Sequence, residues 1–168
     1  MLAERLRYDG GMCLLLLLIS LATTPLAQRP TDVVQWSATA PAAAVAAGET
    51  ARIVLRAEIQ GGWKLYALTQ PAGGPQKLSI AVTKGAPFTL TEKQIVAPAP
   101  KTMKDENFGT NSMYYEKEVT FTVPVSVPKD ASGQVQVPLE VTFQACGNEL
   151  CLRPFTQKLS VAVNVRQP

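Results

Sequence analysis

EVTFTVPVSV, Glu118 to Val127, places Val119, Phe121, Val123, Val125 and Val127 at every second position, with Thr120, Thr122 and Ser126 between them. Successive side chains of a strand point to opposite faces, so this run reads as a strand with one apolar face turned to a core and one polar face turned to water. The same period recurs upstream, where Ile53, Leu55, Ala57 and Ile59 alternate with Arg52, Arg56 and Glu58. Shorter candidates lie at Trp63 to Leu68, Leu78 to Val82 and Phe88 to Val96, punctuated by the turn clusters QGG, PAGGP and KGAP, and a short first strand is expected at Val33 to Trp36. No window sustains a helical period with caps. A succession of about eight short strands at this spacing predicts an all-β chain, an antiparallel β-sandwich of immunoglobulin-like type.

The chain has 168 residues, 46% hydrophobic and 17% charged, enough for one domain with its own core. Its start reads as a secretory signal over residues 1–27: Arg5 and Arg7 form a basic head, Met12 to Leu21 an apolar run, and Ala22 or Ala27 the cleavage point. That run is short for a membrane span, which takes roughly 20 residues, although failed cleavage would leave it as an anchor. Residues 28–48, rich in Pro and Ala, read as a linker-like entry containing the first strand, and residues 49–168 as the domain itself. Loss of the signal removes Cys13 and leaves Cys146 and Cys151, an even pair in an exported protein. The net charge of +3, spread without Lys/Arg clusters, does not suit nucleic acid. The absence of histidine excludes Ser-His-Asp and Cys-His nucleophile pairs and His-containing zinc sites.

FQACGNELCLRPF, Phe143 to Phe155, closes the pattern. Val135, Val137, Leu139, Val141 and Phe143 share the core-facing parity, so Cys146 is expected on the outward face at the strand's end. GNEL turns the chain, and Leu159, Val161, Val163 and Val165 resume the inward alternation after Pro154 has disturbed the register. The cysteines thus flank a turn at a sheet edge. A bridge closing about six residues removes only roughly 2 kcal/mol of unfolded-chain entropy, against about 4.7 for a loop of ~100 residues. Spacing alone leaves three readings: a local structural disulfide, an exchangeable one, and a soft-metal site in which Met103 and Met113 join the two thiolates around Cu(I).

VTFQACGNELCLRPF followed by LSVAV resembles the N-terminal periplasmic domain of the bacterial thiol:disulfide interchange protein DsbD. GGWKLYALTQPAGGP is similar to that family's Gly-aromatic-x-Leu-Tyr segment, and KDENFG followed by EVTFTVPVSV to its loop and next strand, an ordered set spanning Val45 to Val165. The resemblance implies an immunoglobulin-like domain without cofactor, a monomer, taking electrons from a membrane-embedded thiol reductase and reducing thioredoxin-like periplasmic proteins. Cys146 and Cys151 match the family's cysteine pair, with Cys151 as the attacking thiol and Cys146 as the resolving one. Lys104 to Gly109 looks like the family's mobile cap loop: Asp105 and Glu106 match its acids, Asn107 stands where the capping aromatic is expected, and Phe108 is taken as the cap. Tyr66 matches a tyrosine near the active site. Because the family protein continues into a membrane domain and a thioredoxin-like domain and this sequence ends at Pro168, a separate membrane reductase is expected as donor. The alternative to a relay is a secreted binding module with a stapled turn.

Overall fold

A computed structural model describes residues 28–167; the expected signal segment lies outside them. After a four-residue helix, α1 (Pro30–Val33), the chain runs through β1 (Val34–Thr39), β2 (Val45–Ala46), β3 (Thr50–Ile59), β4 (Lys64–Tyr66), β5 (Ser79–Val82) and β6 (Thr89–Leu90). There follow β7 (Lys101–Asp105), β8 (Thr110–Tyr115), β9 (Glu118–Ser126), β10 (Gly133–Phe143), β11 (Ala145–Cys146) and β12 (Phe155–Arg166). The strands form three sheets, ordered β1-β3-β9-β6, β2-β12-β10-β5 and β11-β4-β8-β7. The first two face each other as an immunoglobulin-like sandwich, and every pairing is antiparallel except that of β2 with β12.

The alternation predicted for β3 and β9 is realised without slip. Ile53 pairs with Val123, Leu55 with Phe121 and Ala57 with Val119, all buried, while Arg52, Arg56 and Glu58 stay exposed. On the facing sheet Val137, Leu139, Val141 and Phe143 of β10 and Val161, Val163 and Val165 of β12 are buried. Trp36 of β1 joins the layers, its ring 6.0 Å from Phe121 and 5.7 Å from Phe143. Such aromatic contacts add to the area they bury. β1 and β2 fall within residues 28–48 and extend both sheets.

Three expectations are corrected. Pro154 does not disturb the register: β10 and β12 pair without interruption from Gly133 with Val165 to Phe143 with Phe155, and Pro154 stands one residue before the ladder begins. The strand expected at Phe88 to Val96 shrinks to β6, because Glu92–Gln94 wind into a 3-10 turn; Val96 returns only as an isolated bridge to Thr122. The segment Lys104 to Gly109, expected as the cap loop, spans the end of β7 and the tight turn into β8, a hairpin whose mixed polar sequence carries no period-two signal. Cys146 lies on the face turned away from the sandwich, as its parity predicts, but it is not exposed there: the chain leaves the β10 ladder at Gln144, which belongs to no strand, and β11 joins the third sheet, where Ala145 rests on the core and Cys146 is buried on the other face.

Candidate active site at the edge of the third sheet

The third sheet is set by local sequence. The QGGW turn closes with the Trp63 amide donating to the Gln60 carbonyl at 3.0 Å and has Gly62 at φ 85°, a conformation that favours glycine. It delivers β4 between β11 and β8, with Cys146 opposite Lys64, Ala145 opposite Leu65, Leu65 opposite Tyr115 and Tyr66 opposite Tyr114. Directly paired residues share a face, so Ala145, Leu65 and Tyr115 form one face and Cys146, Lys64, Tyr66 and Tyr114 the other. The first face packs on the sandwich core, Tyr115 meeting Phe121 edge-on at 5.7 Å. The second carries the chemistry, and neither Cys146 nor Tyr66 belongs to the contiguous apolar core.

Cys146 and Cys151 are disulfide-bonded, with Cα atoms 4.0 Å apart and a separation of five positions. The Gly147 amide donates to the Leu150 carbonyl and the Leu152 amide to the Ala145 carbonyl, both at 2.9 Å. These bonds flank the cysteines and make them a non-hydrogen-bonded antiparallel pair, in which side chains approach most closely. Cys146 is 2% exposed, whereas Cys151 is half-buried at the rim. A groove of about 300 Å³ opens beside them, lined by Gly62, Trp63, Gly147, Asn148, Glu149 and Leu150. Gln144, where the chain changes sheets, ties the surroundings together: its side chain accepts the Gln76 amide at 3.0 Å and donates to the Leu152 carbonyl at 3.2 Å.

On the same face the Tyr66 hydroxyl donates to Asp105 Oδ2 at 2.7 Å, and Asp105 Oδ1 accepts the Asn107 amide at 3.1 Å. Both residues are buried. Burial, followed by the hydrogen bond to Asp105 and its charge, pushes the Tyr66 hydroxyl far above its ordinary range, so it remains a donor. The β7–β8 turn closes with the Phe108 and Gly109 amides donating to the Asp105 carbonyl at 3.3 and 2.8 Å. It carries Phe108 over Tyr66, edge to face, with centroids 6.0 Å apart. Phe108 is half-buried and outside the core, while Asn107 and Glu106 are exposed.

The structure therefore brings together Tyr66, Asp105 and Phe108, and places Cys146 on the strand next to Tyr66, with Cys151 bridged to it from the far side. It leaves Glu106 at the turn surface. The four sulfurs of a copper site are not gathered. Met103 and Met113 have opposite parity in the β7–β8 ladder, and Met113 lies toward the core, its sulfur accepting from Thr69 Oγ1 at 3.5 Å. Among the described residues no cluster of three or more His, Cys, Asp or Glu side chains could hold a metal ion. Sequence reasoning missed Lys64, whose ammonium donates to Asn148 Oδ1 at 3.2 Å and lies 6.0 Å from the Tyr114 ring centroid. The signal was present, since Lys64 stands two residues before Tyr66 and so shares its face.

Residues 32–162 match the family described as thiol:disulfide interchange protein DsbD, N-terminal. No curated protein matches the sequence. Among solved structures the fold is similar to the Neisseria meningitidis DsbD N-terminal domain in the reduced form, at TM-score 0.55 and 17% identity over 82% of this chain and 90% of that one. It is equally similar to the N-terminal periplasmic domain of ScsB from Proteus mirabilis, at TM-score 0.55 and 21% identity, covering 83% of this chain and 49% of that one.

Proposed function

The chain belongs to the DsbD N-terminal family of thiol:disulfide interchange proteins, and on that premise we propose that it relays reducing equivalents through the Cys146/Cys151 pair to oxidised exported proteins. The observation that carries this reading is the asymmetry of the pair: two bonded cysteines at a sheet edge, one sealed and one open at the rim. Exchange proceeds by thiolate attack on a reachable sulfur, and Cys151 is the one a partner can reach. In the reduced domain the Cys151 thiolate attacks the disulfide of an oxidised partner, forming a mixed disulfide. Cys146 then attacks Cys151 Sγ, releases the partner as a dithiol and restores the Cys146–Cys151 bond. Phe108 over Tyr66, with the Tyr66–Asp105 hydrogen bond beneath, forms the cover of this site, and Glu106 is the solvated acid beside it.

The donor is a membrane-embedded thiol reductase and the acceptors are thioredoxin-like periplasmic proteins. The domain occupies residues 49–168 together with the strands of 28–48, works as a monomer, and is exported by the signal at residues 1–27. No helix among the described residues is long and apolar enough to cross a membrane. Leu150, 50% exposed, and the neighbouring groove offer a partner apolar footing beside the reactive sulfur.

Removing the two cysteines one at a time tests the assignment. Cys146→Ser should accumulate a covalent, reductant-sensitive complex with a thioredoxin-like protein of a periplasmic extract, and Cys151→Ser much less. The reverse pattern would exchange the two roles. If neither variant traps a partner, and the purified reduced protein cannot reduce an oxidised thioredoxin-fold protein, the relay fails and a binding module with a stapled turn takes its place.

A further inference from the structure

Cys146 poses an electrostatic problem that the exchange reading does not solve. Every cycle passes through a Cys146 thiolate. When a donor loads the domain, its thiolate bonds to Cys151 Sγ, the Sγ–Sγ bond breaks, and the electron pair leaves on Cys146 Sγ. The donor's second thiol then displaces Cys151, so the donor dithiol becomes a disulfide and the pair becomes a dithiol. When the domain discharges, Cys146 must be deprotonated again to displace the partner from Cys151. A thiolate at a site 2% exposed is disfavoured, because burial in apolar surroundings raises a thiol's pKa.

Lys64 stands where it can offset that penalty. It is the residue paired with Cys146 across the β11–β4 ladder, so the two side chains leave the sheet on the same face, with Cβ atoms at about 5 Å by the geometry of such pairs. Its ammonium is not without a partner. It reaches along the row to Asn148 Oδ1 at 3.2 Å, inside the turn that the disulfide closes. Cys151, Cys146 and Lys64 thus form one row of paired positions across neighbouring chain segments, with Lys64 on the Cys146 side of the row and its ammonium held at Asn148, two residues beyond Cys146.

The other ionisable groups around the row are engaged or lie farther along it. Asp105 of β7 accepts from the Tyr66 hydroxyl of β4. Glu116, after β8, pairs with Lys101 of β7 at 2.9 Å, and its charge also interacts with Lys64 and with Lys117 beside it. Tyr114 of β8 lies under the Lys64 ammonium. Glu149 in the turn and Arg153 on the return are exposed, the first opposing a thiolate and the second favouring it. Lys64 is the cation on the strand hydrogen-bonded to Cys146.

We propose that Lys64 is the positioning residue for the Cys146 thiolate, an ammonium that stabilises the leaving and resolving sulfur and holds the CGNELC turn through Asn148. This inference rests on the exchange reading, yet its central measurement does not need a partner protein. In Cys151→Ser, ultraviolet thiolate absorbance followed against pH gives the Cys146 titration midpoint. Adding Lys64→Gln, which keeps a donor for Asn148, should raise that midpoint by about one pH unit, a roughly tenfold loss of thiolate at a pH below both midpoints. Lys64→Arg should restore it, and Asn148→Ala, which removes the hydrogen bond but keeps the charge, should leave most of the shift unmade. In the otherwise unaltered protein, Lys64→Gln should slow disulfide reduction by dithiothreitol roughly threefold, since a leaving thiol of lower pKa departs faster.

An unchanged midpoint in Lys64→Gln, or equal shifts in the Gln and Arg variants, overturns the proposal. If the Gln variant does not fold, the salt dependence of the Cys151→Ser midpoint decides. A rise between low and high salt supports a nearby cation, and no change removes it. A protein that titrates as proposed but cannot reduce a thioredoxin-fold substrate would keep Lys64 and lose the relay.

Discussion

Reducing the Cys146–Cys151 bond in the native protein should cost little stability, and the structure sets the scale. The bridge spans five positions, and closing so short a loop in the unfolded chain removes about 2 kcal/mol of conformational entropy. On the folded side almost nothing depends on the bond: neither cysteine belongs to the apolar core, and the flanking Gly147-to-Leu150 and Leu152-to-Ala145 hydrogen bonds are backbone bonds that reduction leaves intact. Paired urea unfolding curves with and without dithiothreitol should therefore keep one cooperative transition. The midpoint should move by about 1 M for a slope of about 2 kcal/mol/M. By linkage the same 2 kcal/mol separates the reduction potentials of the native and unfolded pair by about 40 mV, small enough for a bond that opens and closes in use. A loss above about 4 kcal/mol, or disappearance of the cooperative transition on reduction, would refute the reasoning and make the bridge a staple.

Phe108→Ala removes the ring that meets Tyr66 edge to face, so the reduced variant should react faster with small alkylating reagents at Cys151; equal rates in a folded variant would mean that the lid lies elsewhere. Tyr66→Phe leaves a buried Asp105 oxygen without its donor and should cost about 1 to 3 kcal/mol in denaturant unfolding, while an unchanged stability would show that water replaces the hydroxyl. Burial raises both Tyr66 and Tyr115 above the ordinary tyrosine value, so the folded state holds their protons more tightly than the unfolded one. Stability should be fully present below about pH 10 and fall as pH rises beyond it. Tyr66→Phe should flatten that fall, and a slope identical to that of the unaltered protein would remove Tyr66 as its source.

The sandwich was legible because its strands are buried on one face only. Ile53 to Ile59 and Val119 to Val127 write that burial as alternation, and the pairing of Leu55 with Phe121 follows from it. The third sheet was not legible in the same way. β7 and β8 read KTMKD and TNSMYY, with Met103 and Met113 on opposite faces and a buried Ser112 among polar neighbours, so no apolar parity marks them. The burial of Cys146 is not legible for a related reason: parity carries through Gln144 and gives the right face, with Ala145 on the core and Cys146 away from it, but it does not tell that this outer face is itself covered at Cys146. Cys146 and Cys151 stand out by cysteine count and spacing alone, whereas Tyr66, Asp105 and Phe108 were singled out through resemblance, since none of those three breaks a pattern. Lys64 broke none either, and only the ladder shows which residue stands opposite Cys146.

That division between a legible core and an unmarked site has a physical basis. The apolar parity of β10 serves the sandwich as far as Phe143, whose ring meets Trp36 of the opposite sheet. Two residues later the same chain lies on a sheet whose inner face, Leu65, Tyr115 and Ala145, rests on that core while its outer face stays free of it. A bond on the outer face can open without unpacking the inner one, because the two faces share a backbone ladder and not side-chain contacts. Gln144 makes this separation. Its amide group holds the residue 76 loop and the returning segment at Leu152, so the bend is tied by side-chain hydrogen bonds and does not depend on the disulfide beside it. A redox pair needs a frame that is the same in both of its states, and here the frame is the bend.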